Sequence, residues 1–376
     1  MATIYDVARR AAVSPATVSR VLNRRASVNA EMAERVHAAV TALGYRPNSV
    51  ARSLRRQAAP VWAVVISDIE NPHFTSLVRG IQDVARANGK SVVLCNSDED
   101  LAEEAQYLDV ALAEQMSGII ISPASDRRTD VSALLARGIP VVTIDRRLRN
   151  SPVSSVVVDN SRGARSATRH LLAAGYQRVA CITGPLTTST ARQRLAGYRQ
   201  ALREAGVPFD DRLVRVSDYK EAGGYASASE LLAAARPPDA LFVTNSLMTV
   251  GSLESMSDLG VRVAQDVGIV GFDDNPWARL MRPALSTVAQ PTNDIGRRAA
   301  ALLLSGTAGQ PGVTLTLPTL LIARESSRRD PVPDPPEQQP PGDTPAKALG
   351  SKPRRVALRP SLWRDQASGS LAPRSR

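Results

Sequence analysis

Apolar positions recur in three different rhythms along the chain, and each rhythm predicts a different kind of element. In residues 1–46 the spacing is helical. Ile4, Val7, Ala8 and Ala11 fall on one face. Thr3 stands ahead of them as an N-cap, with Asp6 three residues on. Ala12-Val13 supplies a turn, and Ser14-Pro15 opens a second helix with Ser as N-cap and Pro in the first turn. Val18, Val21 and Leu22 form its apolar face. Asn29 can cap a third helix carrying Val36, Val40 and Leu43, and Gly44 suits its C-terminal stop. Two short helices joined by a tight turn and braced by a third predict a helix-turn-helix unit.

From residue 61 to about 326 the rhythm changes. Short continuous apolar runs alternate with amphipathic helical stretches. The strand candidates are Val61–Ile66, Ser91–Cys95, Gly118–Ser122, Val141–Ile144, Val179–Ile182, Ala240–Thr244 and Val267–Gly271. Between them lie helical patterns such as Phe74–Asn88, Glu103–Gln115, Ser161–Ala174, Arg192–Ala205, Tyr225–Ala235 and Ser246–Leu259. Apolar strands without alternation imply parallel sheets covered on both faces. The pattern nearly restarts after Ser161, which predicts two similar subdomains. The expected fold is an all-α head followed by an α/β body of two doubly wound parallel sheets. The expected boundaries are 1–46 for the head, 47–60 for a linker bracketed by Pro47 and Pro60, 61–326 for the body and 327–376 for a disordered basic tail. From Pro331 onward, ten of 46 residues are proline, a composition unable to bury a core.

Charge separates these segments. The net charge is +11, yet residues 1–60 hold ten Arg against three acids, and residues 331–376 hold eight Lys/Arg against four, leaving the body neutral. A basic head on a neutral body points to a polyanion that meets the head. In a helix-turn-helix unit the start of the second helix enters the major groove. The side chains available there are Ser14, Pro15, Ala16, Thr17, Ser19, Arg20 and Asn23. Arg20 suits bidentate contact with guanine, and Ser14, Thr17 and Asn23 suit phosphate oxygens.

Other classes are poorly supported. No apolar run reaches the roughly 18 residues of a membrane span. The polar N-terminus lacks the core of a signal peptide, which predicts a cytoplasmic protein. Cys95 and Cys181 each sit in an apolar run and read as buried thiols. His37, His73 and His170 form no metal-ligand spacing, so neither metal nor cofactor is expected. A nucleotide-dependent enzyme would need a phosphate loop, and neither GxGxxG nor GxxxxGK[ST] occurs. A plain sugar-binding protein, exported or cytoplasmic, leaves the basic head unexplained.

Several stretches resemble the lactose-repressor (LacI) family. They include Ile4-Tyr5-Asp6-Val7-Ala8, the run from Val13 to Asn23, and Gly44-Tyr45-Arg46-Pro47-Asn48-Ser49-Val50-Ala51-Arg52-Ser53-Leu54. In the body they include Asn71-Pro72-His73-Phe74, Val158-Asp159-Asn160, Ile182-Thr183-Gly184-Pro185, Arg194-Leu195-Ala196-Gly197-Tyr198, Val270-Gly271-Phe272-Asp273-Asp274 and Pro283-Ala284-Leu285-Ser286-Thr287-Val288. The likeness runs from about residue 3 to 326. It implies a homodimer, or a tetramer built as a dimer of dimers, on a near-palindromic DNA operator. It also implies that Asn48–Arg55 folds into a hinge helix on the operator, that Leu54 wedges between central base pairs, and that Tyr5, Asn48, Ala51 and Arg55 touch DNA. Ala12 departs from the glycine frequent in the family's turn, a change that costs little unless φ must be positive.

The family's body is similar to periplasmic sugar-binding proteins, with a ligand cleft between the subdomains. Candidate effector residues lie just after strands: Asn71, Phe74, Asp145, Arg146, Arg194, Tyr219, Ser246, Asp273 and Gln290. Such a set hydrogen-bonds hydroxyls and stacks on the apolar face of a sugar ring. It looks most like the ribose-binding branch, so a small neutral polyol is expected: a pentose, another monosaccharide or a nucleoside. At Asn245-Ser246 the family usually has Asn-Asp. The missing carboxylate there predicts a weaker hydroxyl acceptor.

Overall fold

A computed structural model describes residues 2–22, 29–45, 59–149, 151–306 and 312–329. Contacts group residues 1–330 into one unit and 331–376 into a second. The second unit, and with it the expected tail apart from residues 327–329, lies outside the described residues, as do Asn23 and the linker positions Asn48, Ala51, Leu54 and Arg55.

The head is three helices: α1 (Ile4–Ala11), α2 (Pro15–Leu22) and α3 (Ala30–Leu43). Each begins where its cap was expected. Thr3 and Asp6 form a reciprocal capping box, the Ser14 hydroxyl accepts from the Thr17 amide, and Asn29 accepts from Glu31. Val7, Ala8, Ala11, Val18, Val21, Val36 and Ala39 make the core of the head. The turn holds a surprise. Ala12 is left-handed, at φ 50° and ψ 49°, so the condition under which alanine is costly is met. A Cβ in this region costs roughly 1–2 kcal/mol.

The body contains two six-stranded sheets. The first uses β1 (Ala59–Ile66), β2 (Ser91–Asn96), β3 (Met116–Ile121), β4 (Val141–Ile144), β5 (Ser154–Val158) and β11 (Thr314–Leu317), all parallel, in the order β11-β5-β4-β3-β1-β2. The second uses β6 (Val179–Thr183), β7 (Val214–Val216), β8 (Ala240–Val243), β9 (Gly268–Phe272), β10 (Ser286–Ala289) and β12 (Leu320–Ile322), in the order β12-β10-β9-β8-β6-β7, with β12 antiparallel. Both faces of both sheets are covered. On the first sheet Trp62, Val64 and Ile66 point into one core and Ala63 and Val65 into the other, the period-two alternation of a strand buried on both sides.

Helices α4 (Pro72–Ala87) and α11 (Thr292–Leu304) cover one face of the first sheet, and α5 (Leu101–Ala113) and α6 (Ser132–Ala136) cover the other. Helices α7 (Asn160–Ala173) and α8 (Ser189–Glu204) cover one face of the second sheet, and α9 (Glu221–Leu232) and α10 (Ser246–Asp258) the other.

The restart after Ser161 does mark the second subdomain, but the chain then goes back. It crosses between sheets at β5 to α7, again at β10 to α11, and again at β11 to β12. The strands β5, β7, β10, β11 and β12 were not among the sequence candidates. In β5 the sequence Ser154-Ser155 hides a fully buried strand, because the hydroxyls are satisfied internally: Thr143 donates to Ser155 at 2.8 Å and the Val313 amide to Ser154 at 3.2 Å. The body also runs past the expected boundary at 326. Ser326 donates to the Ile269 carbonyl, Ser327 meets Ser286 and His170, and Arg329 donates to the Gly175 carbonyl.

Two predictions follow from packing. Ala12→Gly relieves the left-handed turn and stabilises the head by about 1 kcal/mol, read as roughly fivefold slower amide exchange in α1. Helices α4 and α11 touch backbone to backbone: a Cβ on Gly80 would strike Asn293 and one on Gly296 would strike Leu77. Gly296→Ala therefore destabilises by about 1–3 kcal/mol, measured by denaturant unfolding.

Candidate functional site

In the head, the expected DNA-facing positions sit together at the start of α2. Ser14, Ala16 and Arg20 are exposed, and Pro15, Thr17 and Ser19 partly so. Tyr5 projects from α1 with 67% exposure, against 39% for Met32 on α3.

In the body, the carboxyl ends of the strands of the two sheets converge on one cleft. Asn71, at the N-cap of α4, accepts from the His73 amide and receives the Ser246 hydroxyl at 3.0 Å from the other subdomain. Arg146, just after β4, lies fully enclosed. It makes a bidentate pair with Glu99 at 2.5 and 2.6 Å and donates to the Pro123 carbonyl. Burial works against its charge, but Glu99 and Asp145 outweigh that and hold the guanidinium firmly protonated. Arg194 on α8 donates to Asn160 at 2.8 Å and to the Thr244 carbonyl at 2.6 Å, and stacks 3.8 Å above the Phe272 ring. Gln290 donates to Asp273 at 2.6 Å. The Tyr219 hydroxyl meets Thr188 and Thr190, and its ring faces Arg146.

Three of these residues hold left-handed backbone: Asp145 at φ 62°, Tyr219 at φ 69° and Asp273 at φ 78°. Strained conformations of this kind cost about 1–3 kcal/mol each and persist where a site requires them. Three ion pairs, made by two cations, also span the cleft. Lys220 bridges Asp68 at 2.8 Å and Asp98 at 2.5 Å, and Arg192 reaches Asp126 at 2.5 Å. The cleft is narrow, leaving room of about 30 Å³ between its walls, on the scale of one water.

Comparison with known proteins assigns the chain. Residues 3–48 match the family model described as bacterial regulatory proteins, lacI family, and residues 168–327 match a periplasmic binding protein-like domain. The ribose operon repressor of Halalkalibacterium halodurans is 35% identical over 330 residues, covering 87% of this chain and 98% of that protein. The chain belongs to the LacI family. Among solved structures, the lac repressor dimer bound to operator and an anti-inducer is 29% identical, with a TM-score of 0.77 over 87% of this chain and 99% of that one. A LacI-family regulator from Enterococcus faecium with bound ribose is 26% identical, with a TM-score of 0.63 over 71% of this chain and 98% of that one. The relatives of this LacI-family protein are transcriptional regulators rather than enzymes. Among the described residues no helix is long and apolar enough to cross a membrane.

Eight of the nine expected effector residues of this LacI-family protein line the cavity: Asn71, Phe74, Asp145, Arg146, Arg194, Tyr219, Asp273 and Gln290. Ser246 does not. It opens α10 and is used up by its bond to Asn71, while its neighbour Asn245 lines the cavity. The missing carboxylate at 246 therefore sits behind the lining. Sequence reasoning passed over Asp68, His73, Glu99, Thr190 and Asn245. For His73 a signal existed, since Asn71-Pro72-His73-Phe74 puts it in the first turn of a helix just beyond a strand end.

Arg194→Lys would keep the charge but lose the fork that holds Asn160 and Thr244 together and the stacking on Phe272. It should destabilise the body by about 1–3 kcal/mol, observed as a lower denaturation midpoint with an unchanged slope.

Proposed function

We propose that this LacI-family regulator is a repressor whose grip on a near-palindromic operator is controlled by a small neutral polyol, a pentose before other monosaccharides or nucleosides, bound between the two body subdomains in the cytoplasm. The observation that carries the reading is the chemistry of the cleft. Asp145, Asp273, Arg146, Arg194, Asn71 and Gln290 offer donors and acceptors around the aromatic faces of Phe74 and Tyr219, a lining suited to hydroxyls on one side of a ring and its apolar face on the other. Charge within the lining is net negative, with Asp68, Glu99, Asp145 and Asp273 against Arg146 and Arg194, which disfavours a phosphorylated or carboxylated ligand. The name of the Halalkalibacterium relative and the ribose bound in the Enterococcus structure agree with a pentose.

A cavity of about 30 Å³ is too small for any sugar, so binding requires the subdomains to part. The three crossing segments are the natural hinge. Homodimerisation is supported by edge strand β2, whose Val93 and Leu94 remain 42% and 38% exposed, and by the two-fold symmetry such an operator demands.

The deciding experiment selects bound sequences from a random duplex library and then titrates the selected operator with and without D-ribose. Binding should weaken steeply with salt, each phosphate contact contributing about 0.9 to the slope of log K against log salt, and ribose should release the DNA. Arg20→Ala should cost about 1–3 kcal/mol at one base pair per half-site. Equal loss on all sequences would remove Arg20 from base reading. Arg194→Ala and Asp145→Ala should weaken ribose binding while leaving operator binding intact. Full ribose affinity in both variants would end the cleft assignment.

A further inference from the structure

His73 lines the cleft with both of its ring nitrogens unspent. Its side chain is 4% exposed and lines the cavity, yet neither Nδ1 nor Nε2 makes a hydrogen bond. Buried polar atoms without partners are rare and call for an explanation. The ring stands edge-on to Phe74, with centroids 5.0 Å apart. On one side Nδ1 lies 3.5 Å from Asp273, which belongs to the second subdomain; on the other Nε2 lies 4.0 Å from Asp145, which belongs to the first. Each nitrogen thus faces a carboxylate, and neither gap closes into a bond.

We propose that His73 is the specificity-determining residue of the cleft: as an imidazolium between Asp145 and Asp273 it donates from both ring nitrogens to two adjacent hydroxyls of the effector, each of which donates in turn to one carboxylate. This rests on the reading of the cleft as a polyol site. A neutral imidazole has one donor and one acceptor, whereas the cation has two donors. A hydroxyl both accepts and donates, so one fits between Nδ1–H and Asp273 once the cleft widens, and a second can bridge Nε2–H and Asp145 from the side of their 4.0 Å gap. An ether oxygen or a methylene cannot do both. The arrangement therefore selects a vicinal diol.

The charge state follows from everything that faces the ring. Burial disfavours the cation, Arg194 repels it, and the N-terminus of α4, where His73 sits, opposes it. Asp273 and Asp145 outweigh these, and the imidazole is held above its ordinary range. In return, His73 helps to keep Asp273 ionised against its own burial. The other charges of the cleft are already committed, Arg146 to Glu99 and Lys220 to Asp68. Because the folded value is raised, the stabilisation from the ion cluster is fully present below about pH 6.5, the ordinary imidazole value, and is lost as pH rises through the folded value.

Two measurements test the inference on the full chain. The first needs no ligand: the imidazole carbon-bound proton of His73 is followed by NMR against pH, assigned by its absence in His73→Gln. It should titrate above 6.5 and drop when Asp273→Asn removes the nearer carboxylate. Titration at or below 6.5, or no response to Asp273→Asn, overturns the proposal. The second compares D-ribose with 2-deoxy-D-ribose by calorimetry. Wild type should prefer ribose by more than tenfold at pH 6, with the preference shrinking at pH 8.5. His73→Phe, which keeps a ring and loses both nitrogens, should bind the two sugars within about threefold. An undiminished preference in His73→Phe overturns the role. If neither sugar binds wild type, the pentose reading fails on its own, and the NMR titration then decides the state of His73.

Discussion

Everything in the body follows from burying both faces of two parallel sheets. A parallel strand can be re-entered only by a crossover, so each sheet carries its own helices front and back. The same geometry gathers the loops at the carboxyl ends of the strands, where ligands of such sheets are bound. Two sheets brought carboxyl end to carboxyl end make one shared cleft. The crossings after β5, β10 and β11 tie them together with three short segments. Three strands of chain resist twisting more than one would, while leaving an opening motion free. Gln290, which bonds to Asp273 inside the cleft, lies within one of those crossings, so the hinge and the ligand lining share a residue.

The cleft is also where the fold spends stability. Charged groups buried together are stabilising only when geometry is good and every donor is used. Arg146 comes close, with a bidentate carboxylate and a carbonyl, though its Nε makes no hydrogen bond and stands 3.4 Å from Asp145. Arg194 is held by an amide, a carbonyl and an aromatic face. The incomplete members are informative: His73, the Arg146 Nε and the Gln290 Oε1 all lack a hydrogen bond and all belong to residues lining the same cavity. Together with left-handed Asp145, Tyr219 and Asp273, they mark a surface organised for a partner rather than for its own rest state.

How much of this was readable from the sequence depended on whether the signal was local. Caps at Thr3, Ser14 and Asn29, the apolar runs of β1 and β4, and the strand-end position of Asp145 are statements about neighbours in sequence, and they were legible. The return of α11 and β11 to the first sheet was not, because nothing within Thr292–Leu304 records which sheet it covers; that is decided by the fit of Gly80 and Gly296 at the helix contact. Strand β5 was missed because paired serines look solvated until Thr143 and Val313 are seen to satisfy them. Ser246 was misjudged by one residue: its position after β8 was right, but helix geometry turns Asn245 toward the cavity and Ser246 toward Asn71. His73 was overlooked because its meaning depends on Asp273, two hundred residues away and in the other subdomain.

The three ion pairs across the cleft bear on how an effector could act on the head. Lys220 to Asp68 and Asp98, and Arg192 to Asp126, join the subdomains through protein side chains alone. A ligand can shift the balance between closed and open forms only by its difference in affinity for them, commonly 1–3 kcal/mol. The ionic contacts at the rim set the starting point of that balance and the ligand sets its displacement. Lys220 and Arg192 are one-third exposed, so their attraction is partly screened and each contributes modestly. A weakly latched cleft is what an equilibrium sensor requires, since a latch much stronger than the ligand's differential affinity would leave the effector with nothing to move.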